Sequence, residues 1–163
     1  MEKKMEYINY YHCPLGVINI TSNERAITGL TMADSPCGTT HYSKILKQAQ
    51  DWLECYFAGK KPEASQLPLE LNGTVFQKKV WSILTTIPYG HSITYGQLAE
   101  MIACQNGQGK MSAQAVGQAV GANPIGIIVP CHRVLGANRR LTGYAWGLEK
   151  KVWLLDHEGI PYR

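Results

Sequence analysis

The chain has 163 residues, of which 45% are hydrophobic and 17% charged, and a net charge of +4. This is the balance of an ordinary soluble globular protein, long enough for one or two small domains with a real core. No apolar run approaches the roughly 20 residues a membrane span needs, and Met1-Glu2-Lys3-Lys4 leads into no signal-peptide core, so a cytoplasmic protein without membrane association is expected.

Residues 1–73 read as a small sheet domain. Tyr7 to Tyr11 alternates, Cys13-Pro14-Leu15-Gly16 turns, and Val17-Ile18-Asn19-Ile20 returns. Ser22-Asn23-Glu24-Arg25 turns again into Ala26 to Met32, completing a β-meander. After a loop from Asp34 to Thr40, residues Tyr42, Ile45, Leu46, Ala49, Leu53, Tyr56 and Phe57 recur at helical spacing up to Gly59. That helix would cover one face of the sheet. Lys61 to Gly73 reads as a linker.

Residues 74–163 read as mainly helical. Phe76, Val80, Ile83, Leu84 and Ile87 form an amphipathic stripe before the turn Pro88-Tyr89-Gly90. Thr94-Tyr95-Gly96-Gln97 has the form of a capping box, opening a helix through Leu98 and Ile102. Ser112 caps a second helix rich in alanine and glycine, and the two together fit a helix-turn-helix. Such a helix can lie close to a neighbouring helix or to a nucleic-acid groove. Its polar candidates for base contacts are Gln114 and Gln118, so a sequence code is not expected. Charge points the same way. Residues 1–73 carry seven Lys/Arg against eight Asp/Glu, while residues 74–163 carry nine against four, nets of −1 and +5. The second half is the part suited to a polyanion.

The cysteines (13, 37, 55, 104 and 131) are odd in number and lack any Cys-x-x-Cys pair, which speaks against a disulfide framework and a zinc ribbon. His12, Cys13, Cys37 and His41 have no metal-ligand spacing, and no metal is expected. Pro130-Cys131-His132-Arg133 is different. It follows the apolar run Ile125 to Val129, read as a buried strand, and sets a thiol beside an imidazole. Two readings stand at this point: an activated nucleophile, or a small buried hydrophobe. Neighbours in an extended segment point to opposite sides, so His132 would reach Cys131 through a water. Glu158, at the C-terminal end of the last helix (Leu148 to Asp156), is electrostatically out of place there. Burial against a histidine would explain it.

Ile128-Val129-Pro130-Cys131-His132-Arg133-Val134 resembles the active-site signature of the O6-alkylguanine-DNA alkyltransferases. The resemblance continues through Leu141-Thr142-Gly143-Tyr144, Trp153 to Gly159, Phe76 to Leu84, Pro88-Tyr89-Gly90, Tyr95 to Ala99, and Ala115-Val116-Gly117 through Asn123-Pro124. It implies an α+β chain: a ribonuclease-H-like supporting domain in residues 1–73, then a winged-helix-like DNA-binding alkyltransferase domain in residues 74–163. It implies irreversible, stoichiometric transfer of an alkyl group, mainly methyl, from O6-alkylguanine in double-stranded DNA to Cys131 after base flipping. O4-alkylthymine is a second candidate lesion, and no cofactor and a monomer are expected. His132, oriented by Glu158, would take the thiol proton. Tyr95 would help turn the nucleotide out and protonate the departing guanine, and Asn123 would be a hinge. Pro130, Val134, Tyr144, Ala145 and Trp146 would form the pocket. Thr94, Tyr95, Lys110, Ser112, Ala113, Gln114, Gln118 and Arg133 would meet DNA.

Departures from the common pattern fall at Gln114, where most members carry an intruding arginine, and in the longer connection Cys104 to Lys110. Trp146 stands where many members have glycine, and Gly126 where relatives commonly have proline. Other readings are a lesion-binding module, which would lack Cys131, and a Cys–His hydrolase, which would need direct Cys–His contact and an oxyanion site. A regulatory role would need an activating extension, which is not expected here.

Overall fold

The computed structural model describes residues 6–33, 40, 41, 43–107 and 111–163. They form an α+β chain that divides into two compact units, Met1–Asn72 with Pro124–Gly126, and Gly73–Asn123 with Ile127–Arg163. No helix among the described residues is long and apolar enough to cross a membrane.

In the first unit, β1 (Tyr7–Cys13), β2 (Gly16–Ser22) and β3 (Ile27–Ala33) form an antiparallel meander in the order β1-β2-β3. Alternation along β2 buries Ile18 and Ile20 on one face. Against the sheet packs α1 (Lys44–Phe57), which buries Leu46, Ala49, Leu53 and Tyr56 at helical spacing. Ser43 caps it, its hydroxyl accepting from the Leu46 N–H at 3.3 Å, a bond of the kind worth about 1 kcal/mol. Tyr42, expected to join this helix, lies outside the described residues.

The stretch expected to be a linker is partly built into the sheet. A 3-10 turn spans Ala64–Gln66, and Leu69 then bridges Ile27, with Ile27 N–H donating to Pro68 and Glu70 N–H to Ile27 at 2.9 Å each. The other edge partner of β3 is distant in sequence, since Ile125 bridges Leu30. Proline at 62 and 68 removed donors without preventing these pairings.

In the second unit, α2 (Val75–Leu84) packs on α3 (Tyr95–Asn106) and α4 (Ala113–Gly121). The Trp81 indole N–H donates to the Ala119 carbonyl at 2.8 Å, joining α2 to the small-residue helix. The capping box at the start of α3 forms as expected: Thr94 Oγ1 accepts from Gln97 N–H (3.1 Å) and Gln97 Oε1 from Thr94 N–H (2.9 Å). A second box, Thr74 with Gln77, opens α2. Two residues of β4 (Ile93–Thr94) pair in parallel with β5 (Val134–Leu135), and α5 (Leu148–Glu158) ends the fold at Gly159.

Candidate active site

Ile125 to Val129 is not the strand its apolar run suggested. It is a buried turn, with Ile127 at φ +64°. An apolar run reports burial but does not distinguish a strand from a buried turn. Cys131–Arg133 then forms a 3-10 turn, not an extended segment. At about three residues per turn, the side chains fan out instead of alternating.

Asn123, two residues beyond α4, fixes this turn by donating from Nδ2 to the Val129 carbonyl at 2.8 Å. The link runs directly from the end of α4 to the backbone beside Cys131.

Glu158 closes the site from the last turn of α5. Its Oε2 accepts from His132 Nε2 at 2.5 Å, and its Oε1 from Arg133 Nε at 2.8 Å and from the Gly90 N–H at 3.1 Å. The His132 and Glu158 side chains are fully buried. Burial alone would raise the Glu158 pKa, but its bonds and charge pairing with His132 and Arg133 outweigh that and hold it at about 2. Burial pushes His132 below its ordinary value, against the pull of Glu158, so the imidazole rests neutral. An ionised carboxylate only accepts, so Nε2 carries the proton and Nδ1 the lone pair. That Nδ1 is buried with no hydrogen-bond partner.

The Cys131 thiol is pushed up by burial, with the Asn123 amide, the Lys151 charge and the Tyr144 hydroxyl pulling the other way. It therefore rests as a thiol and needs a base to become a nucleophile. It lines a pocket of about 580 Å³ with Tyr95 from α3, Ala113, Gln114, Gly117, Val120 and Gly121 from α4, and the segment Thr142 to Ala145.

The family model for the 6-O-methylguanine DNA methyltransferase DNA-binding domain matches residues 75–160, and that for the ribonuclease-like domain of the same proteins matches residues 7–71. The chain belongs to the 6-O-methylguanine DNA methyltransferase family. Among methyltransferase relatives, the methylated-DNA–protein-cysteine methyltransferase of Mycolicibacterium paratuberculosis is 42% identical over 150 residues, covering 89% of this chain and 87% of that one. The protein of the same name from Haemophilus influenzae is 40% identical over 162 residues, covering 96% and 88%. The crystal structure of Mycobacterium tuberculosis OGT in complex with DNA is similar at TM-score 0.80 and 40% identity, covering 93% of this chain and 91% of that one.

Seen as a methyltransferase, the chain gathers most of the residues expected at the site, but not all. Cys131, Tyr95, Ala113, Gln114, Tyr144 and Ala145 share the pocket. Pro130 and Val134 are buried beside it without lining it, and the Val134 carbonyl accepts from Lys151 Nζ at 2.8 Å. Trp146 also stays out of the lining and packs edge to face on Tyr144, ring centroids 5.8 Å apart. Thr94 and Ser112 act as helix caps, with Ser112, Ala113, Gln114 and Gln118 exposed. Lys110 lies outside the described residues, as does Cys37; His12, Cys13 and His41 are described, and no metal-binding cluster occurs among the described residues.

Arg133 is a correction. Expected to face DNA, it is buried, bonded to Glu158 and to the Ile87 carbonyl (2.5 Å), with its guanidinium 5.8 Å from the Tyr89 ring centre. A buried acid needs a buried cation more than a phosphate does. Gly90, expected only as part of a turn, and Lys151 are site residues that the sequence reading does not assign. Gly90, at φ +82°, occupies a backbone region that favours glycine and turns its N–H onto the carboxylate. Lys151 had a legible signal, since it shares the 151, 154, 155, 158 face of α5 with two leucines; burial lowers its pKa to about 8.

Proposed function

We propose that this chain repairs DNA by direct reversal, taking the alkyl group of O6-alkylguanine onto Cys131 once per molecule. The observation that carries the reading is a buried thiol in a pocket walled by α3 and α4, next in the chain to a buried histidine whose Nδ1 has no hydrogen-bond partner; burial favours the neutral form of both groups and leaves that nitrogen as a base. A duplex base must leave the stack to meet such a thiol, and a lesion that weakens pairing lowers that cost.

In the proposed step, His132 Nδ1 takes the thiol proton through a water, while Glu158 holds the Nε2 proton. Arg133 and the Gly90 N–H fix the carboxylate. Cys131 Sγ forms a bond to the alkyl carbon as the bond from that carbon to guanine oxygen breaks. The electron pair leaves with guanine, and the Tyr95 hydroxyl supplies the proton that makes it a neutral leaving group. The resulting thioether has no route back to a thiol, so the protein is consumed. Its partner is double-stranded DNA carrying O6-alkylguanine. Mixing limiting protein with an O6-methylguanine duplex and following restored guanine tests this. The expected yield is one guanine per protein and then none; continued turnover would sink the reading.

Gln114, exposed at the first turn of α4 and part of the pocket wall, can fill the gap left by a flipped base but brings no charge. Gln114→Arg is expected to bind lesion duplex more tightly, by up to about tenfold for one added charge-assisted contact. A titration with labelled duplex checks this. No gain in affinity or repair rate would count against an intercalating role.

A further inference from the structure

The positive charge of the second unit is not on the helices α3 and α4; Lys110, in the connection between them, lies outside the described residues. α4 has no charged residue, and the only one in α3 is Glu100. Of the described cations, Arg133 and Lys151 are buried, and Lys79 donates to Asn106 at 2.6 Å. Arg139 and Arg140 are both exposed, as are Lys78 and Arg163, and none of these four forms an ion pair among the described residues; the arginine pair is distinguished by its place on the loop that runs into the lining of the Cys131 pocket.

The loop that carries them is firmly built. Gly136 N–H donates to the Arg140 carbonyl at 2.8 Å, Arg163 N–H to Arg139 at 2.8 Å, and Leu141 N–H to Arg163 at 3.1 Å. A side chain at Gly136 would meet Thr142 Cγ2 at 2.8 Å. Within this closure Asn138 and Arg139 both sit in the left-handed region, at φ +58° and +62°, which is costly for arginine. The fold thus holds an arginine pair without ion-pair partners on its surface, Arg139 in an unfavourable backbone and Arg140 in an extended one. The loop follows Leu135, paired across from Thr94 at the start of α3, and packs on β4. Its other end runs into Thr142 to Ala145, which line the Cys131 pocket.

We propose that Arg139 and Arg140 grip the phosphodiester backbone of the duplex beside the pocket mouth, supplying the charge that α4 lacks. The guanidinium fork matches phosphate oxygens, and such contacts position DNA without reading its sequence. This inference rests on the DNA-repair reading above.

The test is binding of an O6-methylguanine duplex by the full chain across roughly 50 to 200 mM salt. The double variant R139Q/R140Q is expected to reduce the slope of log affinity against log salt by about 1.8, at roughly 0.9 per phosphate contact. R139K/R140K is expected to keep the wild-type slope. Arg140 has an ordinary backbone at φ −71°, so R140Q alone, expected to lose about 0.9, keeps the test decisive if the double variant folds poorly. Unchanged slopes in the Gln variants would overturn the proposal, as would a lysine pair that loses as much slope as the glutamine pair. Salt-independent binding by the wild-type protein would also overturn the proposal, whereas a wild-type protein that binds no O6-methylguanine duplex at any of these salt concentrations would overturn the DNA reading itself.

Discussion

Glu158→Gln is expected to slow methyl transfer by about 10²- to 10⁴-fold at neutral pH. The reason is a tautomer. Arg133 Nε and the Gly90 N–H both address Oε1 and require an acceptor there. A glutamine would place its oxygen at that position and turn its NH₂ toward His132. The imidazole would then have to accept at Nε2 and carry its proton on Nδ1, the wrong nitrogen to receive a proton from the thiol. Single-turnover rates against pH separate this from damage to the fold. The deficit should shrink as alkaline pH ionises Cys131 without help. A variant as fast as wild type at neutral pH would show that the relay does no work. The same change leaves Arg133 without its buried counter-ion, with an expected stability loss of about 3–5 kcal/mol, measurable by denaturant unfolding.

The second large effect is acid sensitivity. Glu158 titrates at about 2 in the folded chain, below the ordinary 4.5. The folded state therefore favours the carboxylate, and the stability this contributes is complete above the ordinary value and lost as pH falls toward 2. Its size is on the order of 3 kcal/mol. His132 acts with the same sign. Its folded pKa lies below the ordinary 6.5, so acidification must charge a buried imidazole, and stability begins to fall below that value. Stability should thus decline gently below about pH 6.5 and steeply below about pH 4.5. Denaturant unfolding at several pH values would show it, with the steep limb flattened in Glu158→Gln. A flat profile through the acid range would contradict the assignment of an ionised, buried Glu158.

Much of this architecture is legible in the sequence, because local rules and burial agree. The Thr94–Gln97 box and the Ser112 cap start helices where their side chains dictate, and the 46, 49, 53, 56 spacing buries one face of α1. Glu158 was legible as a conflict, an acid at a helix C-terminus, and its resolution by His132 is what the fold shows. What was not legible depended on distant partners. Nothing local to Arg133 says that Glu158 and the Ile87 carbonyl will surround it. Nothing in Ile125 to Val129 distinguishes a buried turn from a strand. Pro88-Tyr89-Gly90 read correctly as a turn, but the target of its freed N–H lies 68 residues further on.

That Cys131 is the alkyl acceptor is tested most directly by peptide mass analysis of the protein after incubation with an O6-methylguanine oligonucleotide. The predicted result is one methyl group on the peptide containing Cys131, with Cys13, Cys55 and Cys104 unmodified and no methylation in Cys131→Ser. An unmodified Cys131 in a protein that still binds the lesion would contradict it and leave a binding module in place of a repair enzyme.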